Sequence, residues 1–204
     1  MKKFCVNTES YKIITSHQTE ADVLRKIENG DVAYNKIVLD FVMGNIGEMC
    51  EFAVNIMGYP LDLFIGMFAK SKIAKKMSDG NQQILGGKMG TEIAYAVEEE
   101  FKGCIIFRGH SIPPIEKRSR LYEFGKSLAY YQWYSKIPWA ELFSKVSVFE
   151  FLRAYLSMVC GSNAKYCVKI NGIMAEREEK QTPPYVIWQN PSSYETEKKS
   201  LCLK

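Results

Sequence analysis

The sequence predicts a mainly α-helical protein, a helical bundle of two similar three-helix modules. Three observations carry that prediction. Apolar residues recur at spacings of three and four through 38–56, 61–68 and 121–131, the period of a helix with one buried face. Strand patterning is confined to minor, short stretches. Residues 2–6 and 11–15 can pair as a hairpin near the N-terminus, and 103–108 holds the apolar run Cys104-Ile105-Ile106-Phe107. Finally, two blocks share a layout: a helix through Glu51-Phe52 or Glu123-Phe124, a helix started at Pro60 or Pro138, a break at Gly80-Asn81 or Gly161-Ser162-Asn163, and a third helix.

The N-terminal segment, 1–34, ends in a short helix. Thr19-Glu20-Ala21-Asp22 starts it, Val23, Leu24 and Ile27 form its apolar stripe, and Asn29-Gly30 stops it. The first module, 35–101, opens on a helix with Val38, Phe41, Val42, Asn45, Met49, Phe52, Ala53 and Ile56 on its apolar side. Gly44 and Gly47 weaken this helix or mark a close helix contact, and Gly58 ends it. Pro60 suits the first turn of the next helix, where its missing N–H costs nothing. Leu61, Phe64, Met67, Phe68 and Ser71 share a face there, and Lys70, Lys72, Lys75 and Lys76 crowd the end, as the helix dipole favours. Thr91 is expected to cap a helix carrying Ile93, Ala94, Val97 and Phe101.

Residues 102–116, with Pro113-Pro114, form a connector. The second module, 117–179, begins with a helix over 117–135 whose stripe is Leu121, Phe124, Leu128 and Tyr131. A helix from Pro138 follows, with Leu142, Val146, Phe149, Leu152 and Leu156 inward. The last helix carries Ala164, Cys167, Val168, Asn171 and Met174. The polar tail, 180–204, is expected to be partly mobile.

Composition narrows the function classes. The 204 residues are 47% hydrophobic and 25% charged, with a net charge of +4, too mild to point to nucleic acid. Six cysteines are scattered with no Cys-x-x-Cys pair, and His17 and His110 stand far apart. Neither a metal site nor a cofactor is expected, and the thiols suit a reducing compartment. No apolar run reaches the ~18 residues of a membrane span, and Met1-Lys2-Lys3 is not followed by a signal-peptide core. The expected setting is the cytoplasm, with no membrane. Gly86-Gly87-Lys88-Met89-Gly90-Thr91 lacks the spacing of a phosphate-binding loop and reads as a turn.

The densest aromatic window is 128–139. Phe124, Tyr131 and Trp133 fall on or beside the apolar stripe and are expected in the core. Lys126, Tyr130 and Tyr134 fall on another face, and with Trp139 they are the candidate partner-binding residues. Gln132, if buried, needs hydrogen-bond partners for its amide.

The run Gly125-Lys126-Ser127-Leu128-Ala129-Tyr130-Tyr131-Gln132-Trp133-Tyr134 resembles a signature, Gly-x-x-Leu-Ala-Tyr-Tyr-Gln-Trp, of a family of small, cytoplasmic, uncharacterised bacterial proteins. There the signature precedes an aromatic-started helix and a glutamate, as Trp139 and Glu141 stand here. Gly80-Asn81 and Gly87-Lys88-Met89-Gly90-Thr91-Glu92 are similar too, so the likeness spans residues 40–177. Lys126 stands where that family has Trp, and Gly161-Ser162 where it has a His-Glu pair. The resemblance implies association with mobile-element or toxin–antitoxin-like operons, some of which encode ADP-ribosyltransferase-like proteins.

Three functions follow as expectations. The first is a non-enzymatic protein-interaction module, an antitoxin-like partner of a toxin enzyme. The second is single-stranded nucleic-acid binding, because Lys117, Arg118, Arg120 and Lys126 precede Tyr130 and Tyr134. The third is an enzyme using His110 of Arg108-Gly109-His110-Ser111 as a base, although no third group is at hand to orient it.

Overall fold

Side-chain caps decide where several of the helices begin. The computed structural model describes residues 18–103, 118–158 and 161–181. Helix α1 (Glu20–Glu28) starts at Thr19, whose hydroxyl accepts from the Asp22 N–H while the Asp22 carboxylate accepts from the Thr19 N–H at 2.9 Å. A 3-10 turn (Lys36–Val38), capped by Asn35, leads into α2 (Leu39–Asn55). Pro60 stands at the N-cap of α3 (Leu61–Lys70), and Ser71 caps α4 (Lys72–Ser78). Asn81 caps the single turn α5 (Gln82–Leu85), and α6 (Gly90–Phe101) follows. The second half holds α7 (Arg118–Ser135), α8 (Trp139–Lys145) after Pro138, α9 (Val148–Leu156) after Ser147, and α10 (Asn163–Gln181). The described residues are mainly helical and contain no strand. None of their helices is long and apolar enough to cross a membrane.

Helices α2 and α7 form the centre. Ala33 N–H donates to the Trp133 carbonyl, and Trp133 Nε1–H to the Tyr34 carbonyl at 2.7 Å, so the start of α2 lies by the end of α7. Midway, Gly47 lies against Gly125, and the two helices therefore run antiparallel. A Cβ on Gly125 would stand 2.7 Å from Gly47 Cα and from the Ile46 carbonyl oxygen. A Cβ on Gly47 would stand 2.7 Å from the Tyr122 carbonyl oxygen. Backbone touches backbone here, which only glycine allows.

Helix α6 grips another side of α2. Asn45 Nδ2 donates to the Lys88 carbonyl at 2.7 Å, and the Glu48 carboxylate accepts from the Gly90 N–H at 2.8 Å. Around this centre the core runs through Ile46, Met49, Phe64, Phe68, Phe124, Tyr131, Trp133, Trp139 and Phe151, all essentially inaccessible to water. The ring of Phe68 on α3 meets that of Trp139 on α8 edge to face at 5.2 Å. The chain divides after Met174: Met1–Met174 is one compact unit, and Ala175–Lys204 is a second, whose described part is the end of α10.

Several elements differ from the sequence reading. The helix expected to continue past Pro60 breaks at Ser71. Its hydroxyl donates to the Phe68 carbonyl and accepts from the Ala74 N–H, so one side chain closes α3 and opens α4. Ser147 opens α9 after α8 ends at Val146: its hydroxyl accepts from the Glu150 N–H, and the Glu150 carboxylate accepts from the Ser147 N–H. Thr91 is not a cap. Helix α6 begins at Gly90, and Glu92 reaches back to the Met89 N–H. Phe41 and Ile56 are exposed rather than inward: Ile46 and Cys50 occupy the buried arc that the Gly47 contact defines, away from Phe41, and Ile56 stands just past the end of α2. The strands expected at the N-terminus and over 103–108, the connector and the tail lie outside the described residues, apart from the turn at Lys102-Gly103.

Glycine to alanine inside a helix ordinarily stabilises by ~0.5–1 kcal/mol. At Gly47 and Gly125 the opposing atoms are backbone, so overpacking of ~1–3 kcal/mol or more should win. Gly47→Ala and Gly125→Ala should each lower the midpoint of a urea melt. Gly66→Ala, which meets open space on α3, should not.

Candidate functional site

The aromatic stretch is placed in the interior. Phe124, Tyr131 and Trp133 are buried. So are two of the four candidate partner-binding residues: Tyr134 is 2% and Trp139 1% exposed, which removes both from any partner-facing surface. The reason is that α7 is covered on more sides than its periodicity implied. Lys26 of α1 lies 4.7 Å above the Tyr134 ring, and Gln18 donates to the Tyr134 hydroxyl at 2.8 Å. Tyr130 is half-buried against Trp133, ring centres 5.4 Å apart. Lys126 stays partly exposed, yet it pairs with Glu123 at 3.2 Å and lies over the Tyr122 ring. Of the cations and rings expected to meet a single strand, Tyr134 offers no open ring and Lys126 no free cation, while Lys117 lies outside the described residues. His110 lies outside the described residues.

The polar tips of these rings are mostly satisfied from within. Tyr131 donates to Asn171 Oδ1 at 2.6 Å, and the Asn171 amide reaches both Gln18 and Tyr134. Buried Gln132 donates to the Ile137 carbonyl. Burial pushes the Tyr130 phenol up to about 12 and raises Tyr131 and Cys167 as well. Groups held this firmly protonated are poor bases and nucleophiles near neutral pH, so the cluster is a structural network. Among the described residues no three His, Cys, Asp or Glu side chains are grouped to hold a metal.

A different surface is open. At 100° per residue around α2, Asn45 turns to α6 and Gly44 and Gly47 to α7. The strip between carries Phe41, Glu48, Phe52 and Asn55. A groove of 190 Å³ lies along it, lined by Glu48, Glu51, Phe52, Asn55 and Ile56 of α2 and Thr91 of α6. Tyr95 of α6 meets the Phe52 ring edge to face at 5.3 Å. Ile56 at the end of α2 is 62% and Tyr95 of α6 57% exposed, and Phe41 of α2 and Met89, just before α6, are exposed as well. Asn55 Nδ2 is buried at the groove and has no hydrogen-bond partner among the described residues.

Sequence reasoning missed this surface because it assigned Phe52 and Ile56 to the core stripe and Thr91 to a cap. The available signal was charge, since neither α2 nor α6 contains a lysine or arginine. No protein-family model matches the chain, and neither does any curated protein or solved structure.

Trp133→Ala should cost ~3–5 kcal/mol, as removal of a buried ring does. Tyr130→Ala, half-buried, should cost only about 1–2 kcal/mol. Thermal melts of the two variants side by side check the order.

Burial also pushes the Cys50 thiol up to about 12. With Cys5, Cys104, Cys160 and Cys202 changed to serine, Cys50 and Cys167 should resist a thiol reagent at about pH 8. They should react promptly once denaturant unfolds the chain. Rapid labelling of the native protein would show that the core opens locally.

Proposed function

We propose that this protein is a non-enzymatic interaction module whose contact face is the α2–α6 groove. The observation that carries the reading is a groove on two adjoining helices whose lining includes exposed Ile56 and half-buried Phe52, the Phe52 ring meeting that of exposed Tyr95. Scattered apolar side chains are ordinary on a surface, but contiguous ones mark contact sites. At 190 Å³ the groove is smaller than the ~300–1,000 Å³ of small-molecule sites, and it suits one or two side chains of a larger partner. The resemblance extends the proposal to an antitoxin-like partner of a toxin enzyme. Free, buried Cys50 and Cys167 fit action in the cytoplasm.

We also read 35–101 and 117–179 as two copies of one helical plan around a shared core. Gly47 and Gly125 each stand thirteen positions before a proline, Pro60 or Pro138, that opens a short helix. Each short helix gives way to another capped by serine, Ser71 or Ser147. That correspondence supports the duplicated plan, with the two glycines at the meeting point of the copies.

Site-directed photo-crosslinking in the source cell tests the interaction reading. A benzophenone residue at Ile56 should yield one discrete adduct with another protein. The same probe at Phe149, exposed on α9, should not. Absence of any adduct at Ile56, or equal adducts at both positions, would remove the α2–α6 face as the contact surface.

A further inference from the structure

We infer that the α2–α6 groove receives a cationic, amphipathic segment of a partner protein, with a lysine or arginine seated at Glu51. The inference rests on the interaction-module reading and adds the chemistry of the partner. Helices α2 and α6 hold seven carboxylates and no lysine or arginine, in a chain whose net charge is +4. This is a local reversal of the protein's charge, and it steers positive partners toward the face.

Most of these carboxylates have internal work. Glu48 holds the Gly90 N–H, Glu92 the Met89 N–H, Glu98 the Tyr59 hydroxyl, and Glu100 the Lys72 N–H, while Glu99 pairs with Lys102. Glu51 lines the groove and makes no ion pair among the described residues. An apolar partner laid over Ile56, Phe52 and Tyr95 strips water from Glu51. That is unfavourable unless the partner brings a cation to it.

The last turn of a basic helix meets this demand, because lysine and arginine are favoured there. Nucleic acid fails it, since its phosphates repel Glu48 and Glu51. A small cofactor leaves Ile56 and Tyr95 uncovered.

Fluorescence anisotropy with a labelled amphipathic helical peptide of leucine and lysine tests the chemistry, beside an analogue with glutamate for lysine. The lysine peptide should bind the full chain and weaken with added salt. Glu51→Lys and Ile56→Asp should each weaken it by about tenfold or more. Glu28→Lys, the same charge change on α1, should leave it unchanged. Circular dichroism melts matching the parent protein would show that all three variants are folded. Equal binding of the glutamate peptide, or equal losses from Glu28→Lys and Glu51→Lys, overturns the inference. So does self-association of the parent protein that Ile56→Asp abolishes in sedimentation, which would make a second copy the occupant. A crosslink from Ile56 to a partner segment without lysine or arginine removes this inference and leaves the interaction reading standing. Absence of any adduct removes the reading itself.

Discussion

The rest of the fold depends on the backbone contact between α2 and α7 at Gly47 and Gly125. With no side chain between them, the helices approach closely enough for Gly125 to sit on the Ile46 carbonyl and Gly47 on that of Tyr122. The buried arc of each helix is then set by the glycine line rather than by its most apolar residues. Ile46, Met49 and Cys50 go inward on α2, and Phe124, Leu128 and Tyr131 on α7. The hydrogen bonds from Ala33 and Trp133 fasten the far end of the pair, so the crossing has little freedom to slide.

Helix α6 is placed by the same constraint one face further round α2. Gly90 packs against the Asn45 carbonyl and Glu48 so closely that a Cβ has no room. Glu48 and Asn45 then hold the turn before α6 by its N–H and carbonyl groups. With α7 on one flank and α6 on the other, a strip of α2 is left between them. Phe41 is exposed and Phe52 and Asn55 half-buried by this geometry, while Ile56 is exposed because it stands just past the end of α2. For Phe41 this occurs despite a helical apolar period that would bury it.

Legibility in the sequence followed the range of the interactions. The existence of the helices around 20–28, 39–55, 90–101 and 118–135 was legible, because caps and apolar period act within a turn or two. The breaks at Ser71 and Ser147 were written in the sequence as well. Ser147 with Glu150 is a capping pair, and an unbroken apolar stripe on either side concealed it. Gly44 and Gly47 were recognisable as marks of close packing, but their partner was not, since Gly125 lies far along the chain. The candidate surface was illegible for the same reason. Whether Phe52 or Tyr134 is covered depends on α6 and α1 respectively, and no local pattern reports that.

Three buried polar atoms lack partners among the described residues: Tyr34 Oη, Trp139 Nε1 and Asn55 Nδ2. Each such orphan costs ~1–3 kcal/mol. For Trp139 the cost is outweighed locally. Burying ~150–250 Å² of aromatic side chain is worth roughly 4–6 kcal/mol at ~25 cal/mol/Å², and the ring also packs on Phe68 and Phe143. Tyr34 is compensated in the same way, and its own carbonyl anchors Trp133. Asn55 has no comparable apolar area to bury, so nothing in its own side chain offsets the unmet donor. Asn55 lines the α2–α6 groove, yet its Nδ2 is sealed from water as the other two orphans are. Its unmet donor is therefore a tolerated cost of packing like theirs, and what the groove turns outward is the Ile56 side chain and the carboxylates beside it.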